Sequence, residues 1–182
     1  EERVAALEGG VSGLCVSSGQ AASAFVVQNL CSAGDNIVAS TDLYGGTVNL
    51  FSNTLKSMGV EVRYADPSDP KNFEKLIDDK TRLFYAEVLP NPSLRVFPIK
   101  EVADIGRPHG IPLIVDNTAC PVICKPIEHG AAIVMHSLTK FIGGHGNSIG
   151  GIIVDSGNFD WSVKKERQPN IWQPDPSYHG AV

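Results

Sequence analysis

The strongest constraint on this chain is a repeated alternation between two kinds of apolar pattern. Seven short runs, "GLCVSS", "NIVAS", "VEVRYAD", "TRLFYAEV", "IPLIVD", "AAIVMHS" and "GGIIVD", are apolar and rich in β-branched residues. Runs of that length and composition read as strands, most of them nearly continuous in apolar character and so buried on both faces. Between them lie stretches with a helical period: "ERVAALEG", "QAASAFVVQNLCSAG" with Gly34 as its stop, "TVNLFSNTLKSMG", "PKNFEKLIDD", and "PIKEVADIGRPHG", interrupted near Pro108. Helices between buried strands predict an α/β layer in which a largely parallel sheet is covered by helices. The pattern stops at about Asp155. Residues 1–155 therefore read as one domain, and 156–182, with prolines, polar residues and unspaced aromatics, as an irregular segment leading elsewhere.

At 182 residues the chain can bury one sizeable core. A net charge of −5 excludes a sequence-independent nucleic-acid binder, which needs clustered Lys and Arg. No apolar run is long enough to cross a bilayer and no leading signal sequence is visible. The opening "EERVAALEGG" is already helix-like, so the natural start is expected upstream. Cys15, Cys31, Cys120 and Cys124 form no CxxC and no cluster with histidine, which leaves zinc-ligand spacing absent. Three of them stand among apolar or small residues, as free buried thiols do in a reducing compartment, so a cytoplasmic protein is expected.

In an open α/β sheet, ligands bind beyond the carboxyl ends of the strands. Five strand ends here are followed by polar or glycine-rich groups: Ser17-Ser18-Gly19-Gln20, Asp42 to Thr47 around Tyr44, Asn91 after "EVLP", Asp116-Asn117-Thr118, and Ser137-Leu138-Thr139-Lys140. Each has an ordinary reading. Ser18 to Gln20 is a helix cap, Asp116 to Thr118 a turn, Tyr44 a half-buried packing ring, Asn91-Pro92 a turn pair, and Lys140 a solvated charge. Each also has a use around one ligand. A helix start offers N–H groups and a positive dipole end to phosphate. Ser137 and Thr139, alternating along an extended chain, would add two hydroxyls to it. Asp116 is a costly carboxylate unless it meets a cation. Tyr44 can stack on a ring, and Lys140 can serve as a nucleophilic amine. The glycines Gly143, Gly144 and Gly146 give no dinucleotide fingerprint, because Ile149 stands where the last glycine belongs. His136 and His145 read as positional residues. Taken jointly, a phosphate cradle, a stacking ring, an acid facing a cation and a lysine describe pyridoxal 5'-phosphate.

The motifs "ALEGG", "SSGQAA", "DLYGGT", "VDNT" and "HSLTKFIGGHG" follow one another in an order that resembles the Cys/Met-metabolism family of pyridoxal-phosphate enzymes. The resemblance covers about 180 residues and implies the aspartate-aminotransferase-like, fold type I large domain. It places the cofactor-bearing lysine at Lys140, the pyridine-facing acid at Asp116 and the stacking tyrosine at Tyr44. It also places Asn91 near the phenolic oxygen and Gly19, Gln20, Ser137 and Thr139 in the phosphate cradle, with Ser18 and Thr118 among the cofactor-binding residues. "GGHGNSIGG", "NFDW" and "PDPSYHG" look most like the branch that makes homocysteine and acetate from O-acetylhomoserine and sulfide. In that reaction Lys140 takes the Cα proton, Tyr44 assists, acetate leaves from Cγ and sulfide adds. Cystathionine-forming, γ-lyase and methionine γ-lyase chemistry use the same residues with another nucleophile, and an inactive cofactor-binding fragment is a further alternative.

The resemblance further implies an amino-acid substrate, a sulfide or thiol co-substrate, a homotetramer of longer chains, and no metal, nucleic-acid or membrane partner. Family residues that reach a neighbouring subunit's phosphate fall before Glu1, and the domain carrying the substrate-carboxylate arginine falls after the chain. "DNTACPVICKP" is one residue shorter than usual and lacks aromatics, Ala132 replaces a customary aspartate, and Asn147 a common threonine. The 182-residue chain alone is therefore not expected to turn over.

Overall fold

The computed structural model describes residues 1–181, and its seven strands form one sheet in the order β1-β7-β6-β5-β4-β2-β3. The strands are β1 (Ser12–Val16), β2 (Asn36–Ser40), β3 (Glu61–Ala65), β4 (Thr81–Glu87), β5 (Leu113–Asp116), β6 (Ile133–Ser137) and β7 (Gly151–Asp155). Neighbours from β6 to β3 pair in parallel, while β7 runs antiparallel to both β6 and β1. This is the largely parallel sheet that the alternation predicts. With β7 reversed twice over, β1 again points the same way as β6. The carboxyl ends of β1, β2, β4, β5 and β6 therefore share one edge, and the turn into β7 at Gly150-Gly151 joins them there.

Two helical layers cover the sheet. Helix α2 (Gly19–Leu30) buries Gly19, Ala22, Ser23, Val26, Val27 and Leu30, a spacing that keeps one stripe against β6 and β7. On the same face pack helix α3 (Gly45–Asn49) and the π-helical turns Leu50–Leu55 that continue it, with Phe51 edge-on to Tyr85 at 4.9 Å between ring centres. The opposite face takes α1 (Glu2–Glu8), α4 (Lys71–Glu74) and α5 (Ile99–Gly106). In α5, Ile99, Val102, Ala103 and Gly106 make the buried stripe, and a 3₁₀ turn Arg107–His109 follows where Pro108 cannot continue the α-helical ladder.

Several expectations need correction. Strand β1 is not buried: it is an edge strand with Leu14 57% exposed, because only β7 pairs with it. Of the four thiols only Cys31 is buried, Cys15 lying on that exposed edge and Cys120 and Cys124 half-buried. Helix α2 stops at Leu30, with Cys31 in extended backbone, four residues before Gly34. Helix α4 is a single turn, since Asp78 turns the chain by accepting from Lys80 N and Asn36 Nδ2.

The segment after Asp155 folds back onto the chain with a 3₁₀ turn Lys165–Arg167 and a short α6 (Pro169–Trp172). Arg167 donates to the Asp78 and Thr81 carbonyls, Gln168 to those of Arg82 and Gly110, and Arg82 to Arg167 O while it ion-pairs with Asp35 at 2.7 Å. No helix among the described residues is long and apolar enough to cross a membrane.

Candidate active site

The shared strand edge opens into a cavity of about 890 Å³, within the size range of small-molecule sites. Nine of the ten residues singled out from the sequence line it: Gly19, Gln20, Tyr44, Asn91, Asp116, Thr118, Ser137, Thr139 and Lys140. Ser18 does not. Its side chain accepts from Ala21 N at 3.0 Å, so it caps α2, and its ordinary reading holds for the hydroxyl.

The first turn of α2 forms one wall. Ala22 N bonds to Ser18 O and Ala21 N to the Ser18 hydroxyl, which leaves the N–H groups of Gly19 and Gln20 without a partner among the described residues. Gly19 is required by contact rather than by dihedral freedom. A Cβ there would stand 2.7 Å from Ser137 Cβ and 3.0 Å from its Cα, so the helix start and the β6 end could not close to this distance with a side chain between them. Next to Gly19, the Gln20 amide reaches Thr47 Oγ1 at 3.3 Å.

The end of β6 does not run on as an extended chain. Residues 138–140 turn, Lys140 N bonding back to Ser137 O and Leu138 N to Gly150 O. The turn, not strand alternation, brings Ser137 and Thr139 to the same cavity. Their hydroxyls also differ: that of Thr139 is engaged with Gly150, accepting from its N–H at 3.2 Å, whereas Ser137 Oγ has no partner among the described residues. Lys140 is exposed along the cavity wall, and no ion pair engages it among the described residues.

Asp116 closes β5 and lines the same cavity as Lys140. Burial pushes its carboxyl above the ordinary range, while the Thr118 hydroxyl and N–H and the charge of His136 oppose that rise. Thr118 Oγ1 in turn accepts from Ser137 N at 2.7 Å and so joins the ends of β5 and β6. Tyr44, 49% exposed, stands at the rim. A Cβ on Gly46 would lie 2.5 Å from its ring, so only glycine lets the ring come this close to the backbone there.

Glu87 escapes the sequence reading. It ends β4 beside Asp116, lines the cavity and accepts from Tyr44 N at 2.6 Å. Burial raises its pKa to about 7, aided by the Asp116 charge and opposed by the N–H groups of Tyr44 and Asn91. Its one sequence signal is a glutamate closing the buried apolar run 83–86. The Asn91-Pro92 peptide on the same wall is cis. No arginine lines the cavity among the described residues; Arg82 pairs with Asp35, and Arg95 with Asp42 and Asp66.

These groups fit pyridoxal phosphate. Helix N–H groups and the Ser137 hydroxyl suit the phosphate, Asp116 a protonated ring nitrogen, Tyr44 the ring face and Lys140 the aldehyde. No group of three or more His, Cys, Asp or Glu residues could hold a metal ion among the described residues.

Comparison with known proteins agrees with that chemistry. Residues 1–178 match the model of the Cys/Met metabolism PLP-dependent enzyme family. An O-acetyl-L-homoserine sulfhydrylase of Leptospira meyeri is 52% identical over 181 residues, covering 99% of this chain and 40% of that protein. A homocysteine/cysteine synthase of Saccharomyces cerevisiae is 49% identical over 184 residues, covering 100% and 41%. The chain thus spans about two fifths of the length of these relatives. A solved structure of a proposed O-acetylhomoserine (thiol)-lyase of Campylobacter jejuni, which carries a pyridoxyl-lysine phosphate, superposes with a TM-score of 0.95 at 38% identity, over 99% of this chain and 45% of that one.

Proposed function

The chain belongs to the Cys/Met metabolism family of PLP-dependent enzymes, and from that premise we propose that it carries the cofactor-binding part of an enzyme making homocysteine from O-acetylhomoserine and sulfide. The observation that carries this reading is the convergence of Lys140, Asp116 and the open first turn of α2 on one cavity. When bound, pyridoxal phosphate supplies an electron sink for charge developing at the substrate's Cα. Every other task falls to the protein.

The first-turn N–H groups of α2 and Ser137 Oγ hold the phosphate at the positive end of the helix dipole. Asp116 holds a proton on the ring nitrogen by ion pairing, an arrangement its enclosed position strengthens. Tyr44 covers the ring face and excludes water from it. Lys140, tethered by the turn at Ser137 and Gly150, would anchor the aldehyde and then take and return the protons at Cα and Cβ of the substrate, while acetate leaves from Cγ and sulfide adds there. Thr118 keeps Asp116 and Ser137 in register, so acid and phosphate cradle stay a fixed distance apart.

The relatives named as sulfhydrylases or homocysteine synthases support sulfide as nucleophile and the acetyl ester as leaving group. The whole enzyme is a homo-oligomer in this reading, a tetramer of longer chains acting in the cytoplasm. The test is a product assay on the intact protein with O-acetylhomoserine and either sulfide or cysteine. Homocysteine from sulfide, in excess over cystathionine from cysteine, is expected; the reverse preference would move the chain to the cystathionine-forming branch.

A further inference from the structure

Behind the strand ends, on the sheet face away from α2, lies a polar node that the cavity chemistry does not use. Glu8, the last residue of α1, is 2% exposed, yet its Oε1 accepts from Asn117 Nδ2 at 3.0 Å and lies 2.6 Å from His136 Nε2. His136 is 0% exposed and Asn117 likewise. Asn117 also donates to Cys124 O, and its own N–H to Met135 O. Each partner of Glu8 is therefore the chain neighbour of a cavity residue: Asn117 of Asp116 and Thr118, His136 of Ser137.

Such a node is an expensive way to fill a core. A buried carboxylate and imidazole are less favourable than apolar residues of the same volume. Glu8 Oε2, His136 Nδ1 and Asn117 Oδ1 also have no hydrogen-bond partner among the described residues. The fold around it is made by aliphatic side chains of α5, β5 and β6 that need no such group. What the node adds is rigidity at one place: it fastens the end of β5 to the end of β6 from below, while Thr118 to Ser137 fastens them at the cavity.

We propose that Glu8 is a positioning residue for the cofactor, holding Asn117 and His136 so that Asp116 stays aligned with the ring nitrogen. The inference rests on the reading of the cavity as a pyridoxal-phosphate site.

A double-mutant cycle on the intact protein tests it, with the dissociation constant of pyridoxal phosphate, followed by visible absorbance, as the readout. Glu8→Gln, which keeps an oxygen at the node and removes its charge, is expected to weaken cofactor binding about ten-fold, the equivalent of one charge-assisted hydrogen bond. Asp116→Asn weakens it by its own amount, and the double variant is expected to bind no worse than Asp116→Asn alone, because Glu8 acts through Asp116. If the two losses multiply instead, Glu8 supports the fold in general and the proposal is wrong. Wild-type affinity in Glu8→Gln overturns it as well. Should Glu8→Gln not fold, His136→Gln enters the same cycle with the same two outcomes. A wild-type protein that bound no cofactor would remove the cavity reading itself, which separates that failure from failure of the node.

Discussion

Substituting Gly19 by alanine sets two effects of opposite sign against each other. Gly19 is the first residue of α2, and alanine in a helix is favoured over glycine by about 1 kcal/mol. Against this, the new methyl would meet Ser137 at 2.7 Å from Cβ, 3.0 Å from Cα and 3.2 Å from Oγ. Carbon atoms rest at ~3.5–4.0 Å, so the helix start and the β6 end must separate by roughly 1 Å. Overpacking of that kind costs ~1–3 kcal/mol, so stability should fall by at most ~2 kcal/mol once the helix gain is counted. Binding should suffer more. The same separation pulls the first-turn N–H groups away from Ser137 Oγ, stretching hydrogen bonds of about 2.9 Å towards lengths at which they no longer count as bonds. Losing one or two bonds to a phosphate, at ~1.5–3 kcal/mol each, weakens cofactor binding by at least about ten-fold. The assay is a cofactor titration followed by visible absorbance, with a thermal melt of the cofactor-free protein beside it. Wild-type affinity with an unchanged or higher Tm would refute the reasoning, since the contact would then be slack and the helix start no part of the phosphate cradle.

Asp116→Asn should lower turnover more than it lowers cofactor affinity, because an amide cannot hold the ring nitrogen protonated while the phosphate contacts remain; a full rate would leave Asp116 a turn residue. Glu87 binds more protons folded than unfolded between its ordinary value of 4.5 and about 7, so its contribution to stability is full below 4.5 and is lost as pH rises through 7. That loss is at most about 3 kcal/mol, and Glu87→Gln should flatten it in urea unfolding at pH 5 and 7.5; an unchanged slope would place the titration elsewhere. Thiol reagents should label exposed Cys15 first and Cys31 last, since burial pushes the Cys31 thiol up to about 12; peptide mapping with the opposite order would contradict the packing of α2. Residues 1–182 produced alone should give no steady homocysteine, because no described arginine faces the cavity to orient a substrate carboxylate, and orientation is worth up to ~7–11 kcal/mol.

The period of the apolar residues carried most of the fold. All seven strands lie where their apolar runs predict, and the stripes of α2 and α5 follow the helical spacing. What escaped depends on neighbours distant in the chain. Strand β1 has the composition of a buried strand and is exposed only because the sheet ends there. The docking of 165–172 rests on Arg82, Arg167 and Gln168 reaching carbonyls more than fifty residues away, which no local pattern records.

The candidate site divides the same way. Residues that open a helix or close a strand were legible because topology alone brings them to one edge. Glu87 and the Glu8 node were not, since a glutamate at the end of an apolar run carries no sign of whether it meets water, a cavity or a buried histidine. Thr139 shows the converse: its position was legible, but its engagement with Gly150 depends on the turn into β7.

The central claim is that Lys140 bears the cofactor, and reduction tests it most directly. The intact protein, loaded with pyridoxal phosphate and treated with borohydride, should lose its visible band and yield one modified peptide containing Lys140. Lys140→Ala should stay folded, show no such band, and lose several orders of magnitude in turnover. A modified lysine elsewhere, or an unchanged band in Lys140→Ala, would contradict the account.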